Sequence, residues 1–344
     1  MIPTMNAFLK GILDGIYSVV GSYGWSIVIF TLLIRLVLMP FDYKSRVSMR
    51  KTTKIQPQIN ALQKKYAKDQ EKLNQKMSEL YRKEKINPLS SCLPMLLTMP
   101  ILFAMFAAMR MIANEQVVQQ AFSILQGETP VMEGWLWIKN VWMPDSPFSA
   151  AWPNLSMLQQ VPKDIWQNAI AALPADTLAQ INEKIAAATG YIVTYESFGE
   201  NLQTSINVVY QTMAQMPAYV EHVANLPGFS FNLILTTLSV AKNFNGLYIL
   251  PVLSAVSQFL MTTLQNVGQP APDPKSNPSG QGANTFMKWF FTLFSLWICS
   301  TSNASFSLYW VTSNLIAMVQ TFAINKYLDM KDKKAETIGE GTVK

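Results

Sequence analysis

Residues 289–325 read WFFTLFSLWICSTSNASFSLYWVTSNLIAMVQTFAIN, without one charged side chain. As a single helix the stretch would reach over ~50 Å, far beyond a ~30 Å hydrocarbon core. Its middle carries the polar run Ser300-Thr301-Ser302-Asn303-Ala304-Ser305. The stretch therefore reads as two membrane spans, 285–301 and 304–325, joined by a tight turn. It decides the fold class: an all-α integral membrane protein.

Working toward the N-terminus, residues 266–284 are rich in Pro, Gly, Asn and Ser and read as a flexible loop. Residues 246–265 form another apolar span. Leu93–Met109 is wholly uncharged, with Arg110 at its far end, and places a span at 90–112. Trp25–Phe41 is apolar except for Ser26, Thr31 and Arg35; it gives a span at 24–41 that Pro40 helps to end. Residues 1–23 put Phe8, Leu9, Ile12, Leu13, Ile16 and Tyr17 on one helical face and Lys10 and Asp14 on the other. That is the pattern of an amphipathic helix lying in the interface. It lacks a clear small-residue cleavage site and does not read as a cleavable signal peptide. The count is five transmembrane helices.

Between the first two spans, residues 42–86 carry 13 Lys and Arg against five Asp and Glu, a net of +8. Ile55, Ile59, Leu62 and Tyr66, then Leu73, Met77 and Leu80, keep a helical period, and Asp69 stands where an N-cap belongs. These features predict a basic helical hairpin, with Pro57 kinking or breaking its first arm. The long region 113–245 is the opposite material, with four basic and ten acidic residues. Its tryptophans at 135, 137, 142, 152 and 166 suit a membrane interface. Within it, 150–228 reads as a helical insert, one helix following Pro174 and ending near Gly190. Five spans put the termini on opposite sides. The +8 hairpin, the 266–284 loop and the 326–344 tail share one side. The positive-inside bias makes that side cytoplasmic, the insert external and the N-terminus outside.

Composition agrees. Of 344 residues, 50% are hydrophobic and 14% charged, where soluble domains carry about a quarter charged residues. Cys92 and Cys299 lie far apart in apolar runs and suggest neither a disulfide nor a metal site. The chain holds no HExxH, GxSxG or GxxxxGK[ST] string, and its one histidine, His222, lies in the insert. No cofactor and no enzymatic activity are expected.

Arg35 is the costly residue. An arginine inside a span costs at least ~2.5 kcal/mol unless it meets water or a partner. Snorkelling past Pro40 is the bland explanation; a polar groove is the sharper one. Polar stripes recur at helical spacing: Ser254, Gln258, Met261 and Gln265, then Thr292, Ser295, Cys299 and Ser302, then Ser305, Tyr309, Thr312, Ser313 and Gln320. No intramembrane Asp or Glu is available to neutralise Arg35. The expected substrate groove comprises Arg35, Thr31, Gln258, Thr292, Ser295, Tyr309 and Ser313. Lys51, Lys54, Lys64 and Lys65 of the hairpin are expected to touch anionic lipid and capture a client. Met95, Met99, Met105, Met109 and Met111 fill gaps or offer an adaptable apolar surface. A small-molecule transporter is disfavoured because no repeated halves are visible. An intramembrane enzyme would need a nucleophile and base, and scaffolding alone does not explain Arg35.

Several strings together resemble the YidC family of membrane protein insertases. They are FTLLIRLVLMPF (30–41) with Arg35, IQPQINALQKKYAKD (55–69), INPLSSCLPMLLTMPILFAMF (86–106) with Asn87, Pro88, Cys92, Pro94 and Pro100, LWIKNVWMPD (136–145), YILPVLSAVSQFLM (248–261) and LYWVTSNLIAMVQTFAIN (308–325). Ser305-Phe306 departs from the small residue and glycine common in the family, and 150–228 is long for this region. The resemblance implies a bacterial inner-membrane protein that inserts and helps to fold nascent membrane proteins, alone or with the Sec translocon. The ribosome is a further candidate partner, and no specific nucleic acid sequence is implied. The insert reads as decoration or as a docking surface anchored by Trp152, Trp166, Tyr191 and Tyr195.

Overall fold

The computed structural model describes residues 2–67, 69–85, 93–224, 230–232, 237–240, 243–266 and 278–341. Asn87, Pro88, Cys92 and most of the expected 266–284 loop lie outside the described residues. The described chain is mainly helical, with one short ribbon and irregular stretches, the longest at 127–154. Two stretches, Tyr23–Lys65 and Met99–Gln126, are long and apolar enough to cross a membrane, and Ile249–Gln265 is a shorter apolar helix.

The chain divides into two compact units. The first comprises Met1–Ile27, Ala104–Pro251 and Ile298–Leu308. Helix α1 (Ile2–Val20) buries Leu9 and Leu13 and turns Lys10 outward to Asp14 (2.9 Å) and to Glu115 (3.3 Å). Helix α2 (Tyr23–Lys65) begins here, Tyr23 stacking on Tyr17 with ring centroids 3.9 Å apart. Helix α4 (Leu93–Gln126), which follows α3 (Gln70–Lys83) of the other unit in the chain, ends at Gly127, whose φ of +91° suits the left-handed turn glycine allows. It runs well past residue 112 into the region expected to lie outside the span, because Val117, Val118, Ala121, Phe122, Ile124 and Leu125 find an apolar partner there.

That partner is a set of short helices: α5 (Leu155–Gln160), α6 (Lys163–Ala172), α7 (Ala175–Thr189), α8 (Tyr195–Glu200), α9 (Leu202–Met213) and α10 (Pro217–Tyr219). Their boundaries follow local chemistry. Asn154 caps α5 by accepting from the Met157 N–H, α7 starts after Pro174 and closes at left-handed Gly190, and Thr194 and Ser197 form a capping box on α8. Ile170, Ile181, Ile185, Phe198, Ile206 and Val209 close over Trp166, which stacks on Phe198 at 4.9 Å. The expectation that Trp152 and Trp166 anchor an exposed docking surface is corrected here. They are 4% and 0% exposed, and both belong to the core. A two-stranded antiparallel ribbon, β1 (Ser230–Asn232) with β2 (Thr237–Ser239), follows. Strands of three residues are too short to show a period, so the sequence did not announce them.

The second unit comprises Val28–Phe103, Val252–Trp297 and Tyr309–Lys344. It holds the rest of α2, helix α3 (Gln70–Lys83), α11 (Ile249–Asn266), α12 (Pro278–Thr301) and α13 (Ala304–Gly341), the last three shared in part with the first unit. Asp69 caps α3, and Met77, Leu80 and Tyr81 pack on buried Ile55 and Ile59 of α2. Helices α2 and α13 run parallel: Arg35 bonds Ser313, Arg46 bonds Thr321, and Arg50 bonds the Asn325 carbonyl and Asp329.

The helices of this unit run further than the sequence suggested. Pro40 does not end a helix and Pro57 does not break one; α2 passes through both. Each proline removes one N–H and crowds the carbonyl four residues back, of Leu36 and of Thr53. Neighbouring helices in membrane bundles re-satisfy such backbone, and Gln320 of α13 donates to the Arg35 carbonyl beside the first of them at 2.9 Å. The loop expected to reach residue 284 gives way to helix at Pro278, a first-turn position where the missing N–H costs nothing. The expected tail 326–344 continues α13 as helix to Gly341.

Candidate functional site

The second unit encloses a cavity of about 530 Å³. Helix α2 supplies Thr31 and Arg35 to its wall, α11 supplies Gln258 and Thr262, and α13 supplies Tyr309, Ser313 and Asn314. Gln265 of α11 adds a further carboxamide, and the rest of the wall is apolar and largely aromatic, including Met99, Met287, Phe290, Phe291 and Phe294.

Arg35 is half-buried and fixed in direction. Its Nε and Nη2 both donate to Ser313 Oγ, at 3.1 and 2.6 Å. Ser313 in turn bonds the Tyr309 hydroxyl. Among the described residues no carboxylate forms an ion pair with Arg35. Asp42, two turns along the same helix, is the acid whose field reaches it. The guanidinium therefore offers its uncommitted N–H groups to the cavity, in surroundings where an anion interacts far more strongly than in water.

Five of the seven expected groove residues meet at this wall: Arg35, Thr31, Gln258, Tyr309 and Ser313. Thr292 and Ser295 do not line it. They are buried on α12, their hydroxyls spent on the carbonyls of Lys288 and Thr292, and the Ser295 carbonyl accepts from Ser254. Cavity residues that the sequence reading passed over are Thr262 and Asn314. A carboxamide in an uncharged span is the signal that could have found Asn314. It is 9% exposed, and its Nδ2 donates to Ser257 Oγ and Gln258 Oε1, both at 3.2 Å. Of the methionines, Met99 lines the cavity, whereas Met105 and Met109 are fully buried gap fillers.

The hairpin lysines stand apart from the cavity. Lys51, Lys54, Lys64 and Lys65 are exposed. Lys65, with Lys76 and Lys83, surrounds a second recess of about 430 Å³ over Leu62 and Leu80.

In the first unit, the turn between α12 and α13 is closed by Asn303, whose Oδ1 accepts from the Phe306 N–H at 3.1 Å. Phe306, the departure from the family pattern, is buried edge-on against Phe106 at 4.9 Å.

Two helices long and apolar enough to cross a membrane, a shorter apolar helix and an arginine-bearing cavity fit the class of helical membrane proteins. A family model described as 60Kd inner membrane protein matches residues 15–195 and 202–333, and the chain belongs to that family. The match takes in most of 150–228. The chain is similar to the membrane protein insertase YidC of Fusobacterium nucleatum, 43% identical over 106 residues, and to that of Caldanaerobacter subterraneus, 43% identical over 109 residues. These alignments cover 31% and 32% of this chain and about half of each relative, 52% and 53%. The YidC insertase of Wolinella succinogenes is 46% identical over 95 residues, 28% of this chain and 18% of that protein. Family and apolar helices together make this a bacterial inner membrane protein.

Proposed function

We propose that the chain is a membrane protein insertase that receives apolar client segments at the Arg35 cavity and releases them into the bilayer, alone or beside the Sec translocon. The observation that carries this reading is Arg35 itself, held by Ser313, without an ion-paired carboxylate among the described residues, in a wall that α2, α11 and α13 share. A client's short external tail enters the cavity, an acidic side chain in it meets the guanidinium, and the apolar segment partitions into lipid. Burial of ~20 apolar residues drives this without nucleotide, at a few tenths of a kcal/mol each. The reading includes five spans, an external N-terminus, a cytoplasmic C-terminus, and hairpin lysines that contact anionic lipid, the nascent chain and the ribosome. Catalysis forms no part of it.

The test is Arg35→Ala in cells depleted of the native protein. The variant should accumulate in the membrane yet insert clients with acidic external tails about ten-fold less well, the effect of a charge-assisted hydrogen bond. Arg35→Lys should retain much of the activity if charge rather than bidentate geometry is what the client meets. Normal insertion of several acidic-tailed clients by the alanine variant would remove Arg35 from the mechanism.

A further inference from the structure

The hydrogen-bond directions around Asn314 can be followed atom by atom. Ser257 donates its hydroxyl to the Ser254 carbonyl at 3.1 Å, so its oxygen is left to accept, and Asn314 Nδ2 donates to it. The same Nδ2 donates to Gln258 Oε1. The Gln258 carboxamide is thereby oriented with its NH2 end away from Asn314. One of those N–H groups faces Thr262 Oγ1 at 3.4 Å, whose own proton goes to the Gln258 carbonyl at 2.8 Å. The other N–H is uncommitted. So is Asn314 Oδ1, which has no partner among the described residues. Both side chains line the cavity.

One N–H donor and one C=O acceptor, on neighbouring side chains tied to each other, complement the C=O and the N–H that a single residue of an extended chain presents on one edge. We propose that Gln258 and Asn314 form a dock for the backbone of an extended segment. Gln258 Nε2 donates to a peptide carbonyl and Asn314 Oδ1 accepts from a peptide N–H. The inference rests on the insertase reading and adds a substrate class to it: unfolded polypeptide, recognised without regard to side chains. The physical need is plain. A tail not yet helical carries unpaired backbone groups, each costly to hold away from water. Arg35 answers an acidic side chain, whereas the amide pair answers any residue except proline, which has no N–H to give.

The experiment uses the full-length protein in membranes and a single-span client with a short, uncharged external tail. Gln258→Met removes the donor and leaves Asn314 bonded to Ser257, so the bundle keeps that tie. Insertion of the uncharged-tail client should fall about five-fold, the worth of one hydrogen bond. Clients in which single tail amides are replaced by esters, which lack the N–H, should show one or two positions with a loss of similar size. Those positions should cease to matter in an Asn314→Leu protein, an outcome that a purely structural role for Asn314 would not give. Wild-type insertion of uncharged tails by Gln258→Met, with Arg35→Ala still failing on acidic tails, overturns the dock alone. Normal insertion by both variants overturns the cavity reading and the dock with it.

Discussion

Asp145 is fully buried, and three donors converge on its carboxylate: Trp137 Nε1 at 3.2 Å, the Tyr248 N–H at 3.1 Å and the Leu250 N–H at 2.7 Å. Leu250 lies in the first turn of α11, where backbone N–H groups have no partner within the helix. Asp145 is therefore the cap of that helix, supplied from a hundred residues away. Gly246 is required beside it, since a Cβ there would run into the Asp145 carboxylate. Asp145→Ala strands two backbone N–H groups and an indole and should cost about 3 kcal/mol, read as a lowered midpoint in thermal unfolding of the purified protein. Gly246→Ala should act in the same direction through the displaced carboxylate. In the sequence Asp145 was only one acid in an acidic region, because a cap borrowed across such a distance leaves no local spacing to read. Arg35 was legible for the opposite reason: a charge in an apolar run costs energy wherever it folds. Asn314 lay between these cases, a neutral amide hidden beside Ser313.

At the scale of elements, periodicity carried most of the information and proline misled. The seam of Ile55 and Ile59 with Met77 and Leu80 is packed as their spacing suggested. The ends of α2 and α13 were not legible, because a helix extended by tertiary partners needs no local stop signal. Arg50 shows such a partnership. Its guanidinium reaches Asp329 at 2.6 Å, Asp332 at 3.3 Å and the Asn325 carbonyl at 2.9 Å, holding the extension of α13 to that of α2. Because the acids are at least half exposed, the clamp should contribute only about 1 kcal/mol and weaken with salt. Arg50→Glu should speed amide exchange across 326–341, and adding Asp329→Arg with Asp332→Arg should slow it again. The cap of α3 gives a pH signature. The Lys72 backbone N–H, and then its ammonium, hold the Asp69 carboxylate below its usual range. A depressed folded value means the stabilisation is present above the unfolded value and is lost as pH falls through the folded one. Protection of the Lys72 amide should therefore decline below about pH 4. Asp69→Ala should lack that protection at every pH.

For the whole molecule, the division of labour between span and insert differs from what the sequence suggested. If 150–228 were a decoration, a short Gly-Ser linker in its place would leave the membrane helices intact. The packing argues otherwise. Val118, Phe122 and Leu125 of α4 have almost no exposed surface, and they share one core with buried residues of α5 to α9. Trp166 meets Phe122 edge-on at 5.9 Å, and Lys184 Nζ donates to the Leu125 carbonyl in the last turn of α4 at 2.7 Å. That carbonyl is one of the four a helix end leaves unpaired. Excision would uncover a contiguous apolar face on α4 and orphan its C-terminal turn together. The excised protein should therefore fail to accumulate, and α4 should become sensitive to protease near residues 117–126. A milder lesion separates this from loss of a partner. Trp166→Ala empties the centre of the same core at about 3–5 kcal/mol while leaving every exposed residue of 150–228 in place. If that variant loses abundance and keeps its activity per molecule, 150–228 belongs to the structural body of the protein. If the excised protein accumulates normally and fails only with particular clients, the shared core is dispensable and the segment acts as a docking surface, through exposed side chains such as Ile192 and Tyr195 and not through the two buried tryptophans.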